Sequence, residues 1–307
     1  MILAIFALAA AYLFYRRSTE GSIPPGSSGF EDSYVKALEL GCARCDFERF
    51  FAVKAGGTKR TLVPDILIDL TSFERELDAA LSVNTSKDVG VIVYHGLQTL
   101  ETNQFIYRPE IEFVGLKELN DDVWDLETIP DSRYSIDLMN GSLVRTGPGH
   151  GWETYKSHMH VHRTIQDATN DPGFQNAPSV SEGDDVRYYI FKYDGRLSKL
   201  LGQSFGLKAS RLKLISTAEP SIEPGHTGEM RHHVAIALCT VEANGTVAEL
   251  VEDRSYWPFN FRMKALDIGS PCPYRCADAH FPDKGIPIRA SCTPQDQSCT
   301  HTPRHYN

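Results

Sequence analysis

The sequence predicts an α+β domain with a mainly antiparallel β-sheet. Helix-type periodicity dominates the first part of the chain, and short apolar, β-branched runs dominate the second part. The clearest signal is a β-hairpin, in which Asn244-Gly245 separates a strand-like run from His233 to Val241 from a second run, Thr246 to Val251. Because a hairpin joins antiparallel neighbours, this signal favours an antiparallel sheet.

Composition and charge are those of a globular protein. The chain has 307 residues, 41% of them hydrophobic and 10% aromatic, which is enough for one large domain or two small ones. The formal net charge of −9 gives no support for binding nucleic acid through phosphate neutralisation. We therefore expect no nucleic-acid partner.

The N-terminal segment predicts an association with a membrane. Met1 to Tyr15 is an unbroken apolar run, shorter than the roughly 20 residues of a usual span. Two arginines follow this run, an order that favours a short anchor with the body in the cytoplasm. A Cys-rich tail and three sequons favour instead a signal segment and an extracytoplasmic or secreted body. The sequons begin at Asn84, Asn140 and Asn244.

The chain divides into four parts. We predict an anchor or signal segment in residues 1–17, a Gly/Ser/Pro linker in 18–29, the α+β domain in 30–268 and a Cys/His-rich tail in 269–307. The tail has enough ligands for one zinc ion and enough cysteines for two disulfide bonds, and the compartment decides between them. The tail residues in question are Cys272, Cys276, His280, Cys292, Cys299, His301 and His305.

Three helices are expected near the start of the domain. Residues 30–40 carry a helical apolar stripe that Gly41 closes, and residues 42–54 form a second helix that ends at Gly56-Gly57. A third helix begins after Thr71-Ser72 as its cap.

The strands begin further along the chain. Val89 to Tyr94 and Ile111 to Val114 are the first two, residues 117–155 are expected to be mostly loop with isolated short strands, and residues 167–185 form another loop. A strand over residues 186–192, a helix over 197–205 and a strand over 212–216 then precede the hairpin.

The open end of the hairpin carries candidate catalytic residues. His233 begins the first strand and Asp253 follows the second, so antiparallel pairing places them close together. An imidazole held by a carboxylate is two thirds of a nucleophilic triad, which a cysteine completes. An ordinary ion pair at the surface is the alternative interpretation.

The hairpin resembles that of protein-glutaminase-like deamidases, relatives of transglutaminases and papain-like cysteine enzymes. The similar residues are His233-Val234-Ala235 and Asp253-Arg254-Ser255-Tyr256 with Pro258, and the resemblance covers roughly residues 186–268. It implies a papain-like core and a hydrolase that releases ammonia from glutamine side chains of a protein or peptide substrate.

The position of the nucleophile differs from that family. The family has a cysteine, closely followed by arginine, before its first strand, whereas residues 193–198 here contain no cysteine. Cys42, near Arg44, is the leading candidate nucleophile and Cys45 the second, with His233 as the base and Asp253 as its orienting group. The alternative is a catalytically inactive interaction domain of the same fold.

A run of alternating histidines predicts a metal site as a further alternative. His158, His160 and His162 face one side if they lie on a strand, and imidazoles on one face suit zinc or another divalent metal. A further ligand is needed from elsewhere in the chain. His95, His150, Glu153 and His226 are available.

Overall fold

The fold is known from a computed structural model. The structure describes residues 34–35, 37–60, 65–86, 88–101, 104–120, 123–147, 149, 151–180, 185–193, 197–202, 208–221, 226, 228–241, 245, 247–249, 265–266, 270–272 and 279–280. The predicted anchor and linker lie outside these residues. In the described part of the chain, no helix is both long enough and apolar enough to cross a membrane.

The described part of the chain contains five helices. They are α1 (Ala37–Phe50), α2 (Leu70–Val83), α3 (Gly151–His158), α4 (Ile165–Asn170) and α5 (Leu197–Gly202).

The strands are short, with four exceptions of ten residues or more. They are β1 (Tyr34–Val35), β2 (Phe51–Ala55), β3 (Thr58–Arg60), β4 (Asp65–Asp69), β5 (Asp88–Tyr94), β6 (Leu97–Glu101), β7 (Gln104–Tyr107), β8 (Glu110–Asn120), β9 (Val123–Ile136), β10 (Leu143–Arg145), β11 (Met159–Val161), β12 (Tyr188–Lys192), β13 (Arg211–Pro220), β14 (Met230–Val241), β15 (Val247–Glu249), β16 (Ala265–Leu266), β17 (Ser270–Cys272) and β18 (Ala279–His280).

Two large antiparallel sheets organise these strands. The first has the order β1-β16-β14-β13-β4, with β15 also paired to β14. The second has the order β10-β9-β8-β5-β12-β17, with β18 also paired to β9. Strands β11, β2 and β3 form a small third sheet, and β6 pairs with β7. The predicted class, α+β with mainly antiparallel sheets, is confirmed.

One hydrophobic core joins the two large sheets. Apolar side chains from β13 and β14 lie in the same buried cluster as side chains from β5, β8 and β12. Helix α1 packs along β13, and α2 contacts β4, β8, β9 and β10. Any polar side chain on the inner part of β14 is therefore enclosed by protein.

The predicted hairpin is confirmed as structure. Strand β14 pairs with β15 through Cys239↔Glu249, Thr240↔Ala248 and Val241↔Val247. Nearer the start of β14, Ile236 pairs with Leu266 of β16. Asp253 lies outside the described residues, so its predicted proximity to His233 remains a prediction.

Two predictions at the start of the domain are wrong. A single helix, α1, runs through Gly41 and Cys42, and Phe51–Ala55 is a strand where helix was expected. Burial of Phe47 and Phe50 against the core stabilises the continuous helix, which outweighs the cost of one glycine. Strand β2 gains its own partners, β11 and β3, and the positive φ angles of Gly56 and Gly57 allow the chain to turn between β2 and β3.

The predicted loop over residues 117–155 is also wrong. Most of it belongs to the long pair of β8 and β9, to β10 and to α3. The register shifts between Glu112 and Val114, where residues 129–132 of β9 form a bulge, and Asp131 has a φ of 57° there. Pro130 lies in this bulge, which explains why the segment reads as a loop.

Smaller corrections concern the ends of elements. Asp69, and not Thr71-Ser72, caps α2, because its side chain accepts a hydrogen bond from the Ser72 main chain. Helix α4 occupies the start of the predicted loop 167–185 and begins with a capping box made by Thr164 and Asp167. Two short strands in the predicted tail, β17 and β18, pair with β12 and β9.

Candidate functional site

Two histidines at the start of β14 lie inside the protein. His232 and His233 are each 3% exposed, and their strand pairs with β13 through His232↔Ala218 and His233↔Thr217. Every residue of β14 from Met230 to Cys239 is buried. Because successive side chains of a strand point to opposite faces, both faces of the strand are covered.

His232 is one half of a stacked pair of imidazoles. The ring of His95, in the loop after β5, lies 4.1 Å from the ring of His232 at an interplanar angle of 24°. Each ring bonds a different phenol: His95 Nδ1 is 2.7 Å from the Tyr107 hydroxyl, and His232 Nδ1 is 2.7 Å from the Tyr155 hydroxyl. The two histidine–tyrosine pairs therefore lie against each other in the core.

A third tyrosine connects this pair to His233. The Tyr189 hydroxyl donates a 2.7 Å hydrogen bond to the main-chain carbonyl of His232, and the Tyr189 ring lies 4.9 Å from that of His233. Phe47 of α1 contacts the other side of His232, with ring centroids 4.5 Å apart. We call His95, Tyr107, Tyr155, Tyr189, His232 and His233 the histidine–tyrosine cluster.

The cluster is uncharged at neutral pH. Burial lowers the pKa of His95 and of His233 to about 3, and it lowers the pKa of His232 well below its usual value. Two electrostatic effects act in the same direction: protonated imidazoles would repel one another, and the positive charge of Arg231 disfavours protonation of His233. The pKa values of Tyr107 and Tyr155 are raised, again mainly by burial.

Two ring nitrogens of the cluster have no hydrogen bond of normal geometry among the described residues. They are Nε2 of His95 and Nε2 of His232, and both are buried. The main-chain carbonyl of His232 lies close enough to His95 to raise its pKa slightly, against the larger effect of burial. Unsatisfied buried nitrogens cost stability, so the stacking of the rings must compensate for them.

A network of ion pairs precedes the cluster on β14. Arg163 forms a bidentate ion pair with Asp185, and Arg231 lies 3.8 Å from Asp185 and 3.2 Å from Glu229. The side chains of Arg231 and Asp185 are 3% and 4% exposed. Removing one partner from such a network would leave a buried, unpaired charge, which is costly. The network therefore fixes the start of β14.

The cavity beside α1 is small. It has a volume of about 50 Å³, room for a few water molecules and far below the few hundred Å³ of a typical ligand pocket. Its lining residues are Asp46, Arg49, Phe50, Ile165, Pro220, Gly228 and Met230.

The candidate catalytic residues are only partly described. His233 lies on a strand, as predicted, and its ring lies against that of Tyr189. Cys45 is a free, half-buried thiol on α1. It precedes Phe47 by two positions, which is about 200° around a helix and so on a different side from the face that meets His232. Cys42 lies on the same helix, and Asp253 is outside the described residues.

The three histidines of the predicted metal site bond three different main-chain carbonyls. His158 ends α3 and its Nδ1 is 3.2 Å from the Lys54 oxygen, while His160 on β11 bonds Ala177 at 2.7 Å. His162 Nε2 bonds the Asp171 oxygen at 2.6 Å. The expected strand is thus limited to residues 159–161. Within the described ranges, no three His, Cys, Asp or Glu side chains are arranged to hold a metal ion.

Sequence reasoning missed most of the cluster. Tyr107, Tyr155 and Tyr189 come from β7, α3 and β12, and no spacing along the chain connects them with His232. The sequence offers His95 as an additional metal ligand and not as a partner of His232. Its position directly after the buried strand β5 was the one signal that it points into the interior.

Comparisons with protein families, with curated proteins and with solved structures find no match to this chain. The fold and the site therefore define only a class, an α+β protein with a buried cluster of neutral histidines and tyrosines.

Proposed function

We propose that the domain is a catalytically inactive interaction domain, tethered to a membrane by residues 1–17. It binds a protein or peptide without altering it. The observation that carries this proposal is the burial of His233, the candidate general base, within the histidine–tyrosine cluster.

Burial at this position opposes base catalysis. A general base works best when its pKa is near the working pH, and it must lie within about 3 Å of the proton that it removes. The pKa of His233 is about 3, and the described neighbours of its ring are Tyr189, His95 and Arg231, not a thiol. A thiolate–imidazolium pair needs a charged imidazole, which this environment disfavours.

Thiol reactivity as a function of pH tests the proposal. A cysteine that is paired with an imidazolium reacts with iodoacetamide well below its ordinary pKa, and it loses that reactivity when the histidine is replaced. We expect the pH profile of alkylation of Cys42 and Cys45 to be the same in the wild type and in a His233→Phe variant. An acid-shifted profile that His233→Phe abolishes would contradict the inactive domain.

The second candidate is a protein-glutaminase-like amide hydrolase with a papain-like core. The supporting observation is that His233 lies near the start of β14, which pairs with the preceding strand β13, in the order that the family resemblance implies. In this mechanism the Cys42 thiolate attacks a side-chain amide, with Cys45 as the second choice. His233 transfers the proton, Asp253 orients His233, and water releases glutamate and ammonia.

Ammonia release from a glutamine-rich protein tests this candidate. Activity that disappears in Cys42→Ser and in Asp253→Asn, but persists in Cys45→Ser, would establish the hydrolase and remove the inactive domain. No release by folded wild-type protein, with unchanged circular dichroism in the variants, would leave the interaction domain.

A further inference from the structure

The tight turn between β9 and β10 presents an asparagine to solvent. Asp137 closes the turn: its main-chain carbonyl accepts from Gly141 N–H at 2.7 Å, and its own N–H donates to the Ser142 carbonyl at 2.9 Å. Gly141 has a φ of 81° and its carbonyl accepts from Asp69 N–H at 2.8 Å. The turn is thereby attached to the start of α2, and Asn140 lies at its exposed tip.

The side-chain amide of Asn140 has its nitrogen available. Its Oδ1 accepts a 2.7 Å hydrogen bond from the Ser142 main chain, and its Nδ2 donates to no described residue. Asn140-Gly141-Ser142 is also a glycosylation sequon. The folded protein thus holds the acceptor amide in one orientation, with Nδ2 facing solvent.

The first sequon in the chain has the opposite environment. Asn84 is half-buried, its Nδ2 donates to the carbonyls of Ser86 at 2.9 Å and Asp88 at 3.1 Å, and its Oδ1 accepts from Ser86 N–H. A sugar on Nδ2 would remove one of these hydrogen bonds, because the nitrogen would keep only one proton to donate. Asn244, in the third sequon, lies outside the described residues.

The surface around Asn140 is apolar. Met139 is 94% exposed, Val144 50% and Leu138 41%, so three of the exposed large hydrophobic residues of the described chain flank one turn. Exposed apolar patches of this kind are normally covered by something. A bulky, soluble group at Asn140 would cover all three side chains.

We propose that Asn140 carries an N-linked oligosaccharide and that the domain lies on the lumenal or extracellular side of its membrane. In the modification, Nδ2 of Asn140 forms a bond to the anomeric carbon of an oligosaccharide on a lipid diphosphate. The bond from that carbon to the diphosphate oxygen breaks, the lipid diphosphate leaves, and Nδ2 loses one proton to a base of the host transferase. No oxidation or reduction occurs. This inference is independent of whether the domain hydrolyses amides.

Expression of the full chain in a eukaryotic secretory host tests the proposal. In an Asn244→Gln background, we expect one glycan that peptide-N-glycosidase removes, with Asn140 converted to Asp in the corresponding peptide. The glycan should be lost in Asn140→Gln and Ser142→Ala, retained in Ser142→Thr, which keeps the sequon, and retained in Asn84→Gln. Unmodified Asn140 in the membrane-associated or secreted protein, or loss of the glycan in Asn84→Gln alone, would overturn it.

Self-association gives a second readout. Removing the glycan exposes the apolar turn, so Asn140→Gln should increase sedimentation as oligomers at equal concentration, and an added Met139→Ser change should reverse this increase. If Asn140→Gln stays monomeric while unglycosylated, the glycan does not cover this surface and that part of the proposal fails.

Discussion

Two groups of three histidines differ in how their spacing along the chain relates to their contacts in the folded protein. His158, His160 and His162 are neighbours along the chain, yet their rings bond three separate main-chain carbonyls. His95 is far from His232 and His233 in sequence, yet its ring stacks on His232 at 4.1 Å. Spacing along a chain therefore predicts a shared site only where the secondary structure maintains the spacing.

The two groups also differ in what surrounds them. The rings of the histidine–tyrosine cluster lie among buried aromatic side chains, so their replacement disturbs the core. We call residues 158–162 the histidine run. In this run His160 is only half-buried, and its Nδ1 donates one hydrogen bond to the Ala177 main-chain carbonyl.

The largest effect is expected for His232→Ala. The change leaves a cavity between Phe47 and His95 and removes the partner of the buried Tyr155 hydroxyl. Losses of this kind cost about 3–5 kcal/mol. Urea unfolding followed by fluorescence measures the change in the free energy of unfolding.

His160→Ala is the matched change in the histidine run. It removes one hydrogen bond to a main-chain carbonyl at a half-buried position, so a loss of about 1 kcal/mol is expected. Equal losses of unfolding free energy in His232→Ala and His160→Ala would show that the two groups of histidines do not differ in their environment.

The second effect is a loss of stability in acid. The unfolded pKa of histidine is near 6.5, and the folded pKa values of His95 and His233 are about 3. Between these values the unfolded chain binds more protons than the folded protein, so the free energy of unfolding decreases as the pH falls below about 6.5. At pH 5, the lowered pKa of each of these two histidines should reduce the free energy of unfolding by about 2 kcal/mol.

Urea midpoints measured at pH 7.5 and at pH 5 test this loss. His95→Phe keeps an aromatic ring in the stack and removes one titrating group, so its midpoint should depend less on pH than that of the wild type. A wild-type midpoint that does not change between the two pH values would mean that the imidazoles bind protons equally in the folded and unfolded protein, which contradicts their lowered pKa.

A smaller effect is expected for Tyr155→Phe. The ring stays in place, but Nδ1 of the buried His232 loses its hydrogen-bond partner, which costs about 1–3 kcal/mol. Tyr188→Phe is the control, because the Tyr188 hydroxyl makes no hydrogen bond to the described residues. Its free energy of unfolding should stay within about 0.5 kcal/mol of the wild-type value. A larger loss in the control would point to packing rather than hydrogen bonding.

The smallest effect concerns metal binding by the histidine run. The three rings bond three separate main-chain carbonyls, so we expect the zinc content of the purified protein not to depend on these histidines. Elemental analysis of the wild type and of a variant with all three histidines changed to Ala measures this. Stoichiometric zinc that is lost in the variant would instead support the metal site.

The predictable parts of the fold were those with continuous apolar runs. Val89 to Val93 and His233 to Cys239 are buried on both faces, and their composition alone indicates strands. Strand β9 is not predictable from its residues because it mixes polar residues with a bulge at Pro130, and its pairing with β8 and β10 holds it in place. Tertiary pairing overrides local preference there.

The candidate site was less predictable for the same reason. The apolar neighbours of His233 predict that it lies on a strand. They do not predict which side chain contacts it. The stack of His95 on His232 depends on where the loop after β5 lies relative to β14, which is a contact between distant parts of the chain. A single sequence contains no periodic signal for such a contact.

The joining of β7, α3, β12 and β14 in one cluster has a consequence for folding kinetics. Contacts between residues as distant as His95 and His232 require large loops to close first, and proteins rich in such contacts fold slowly. The imidazoles must also lose their protons before they are enclosed. Refolding should therefore be slow at neutral pH and should slow further as the solution becomes acidic.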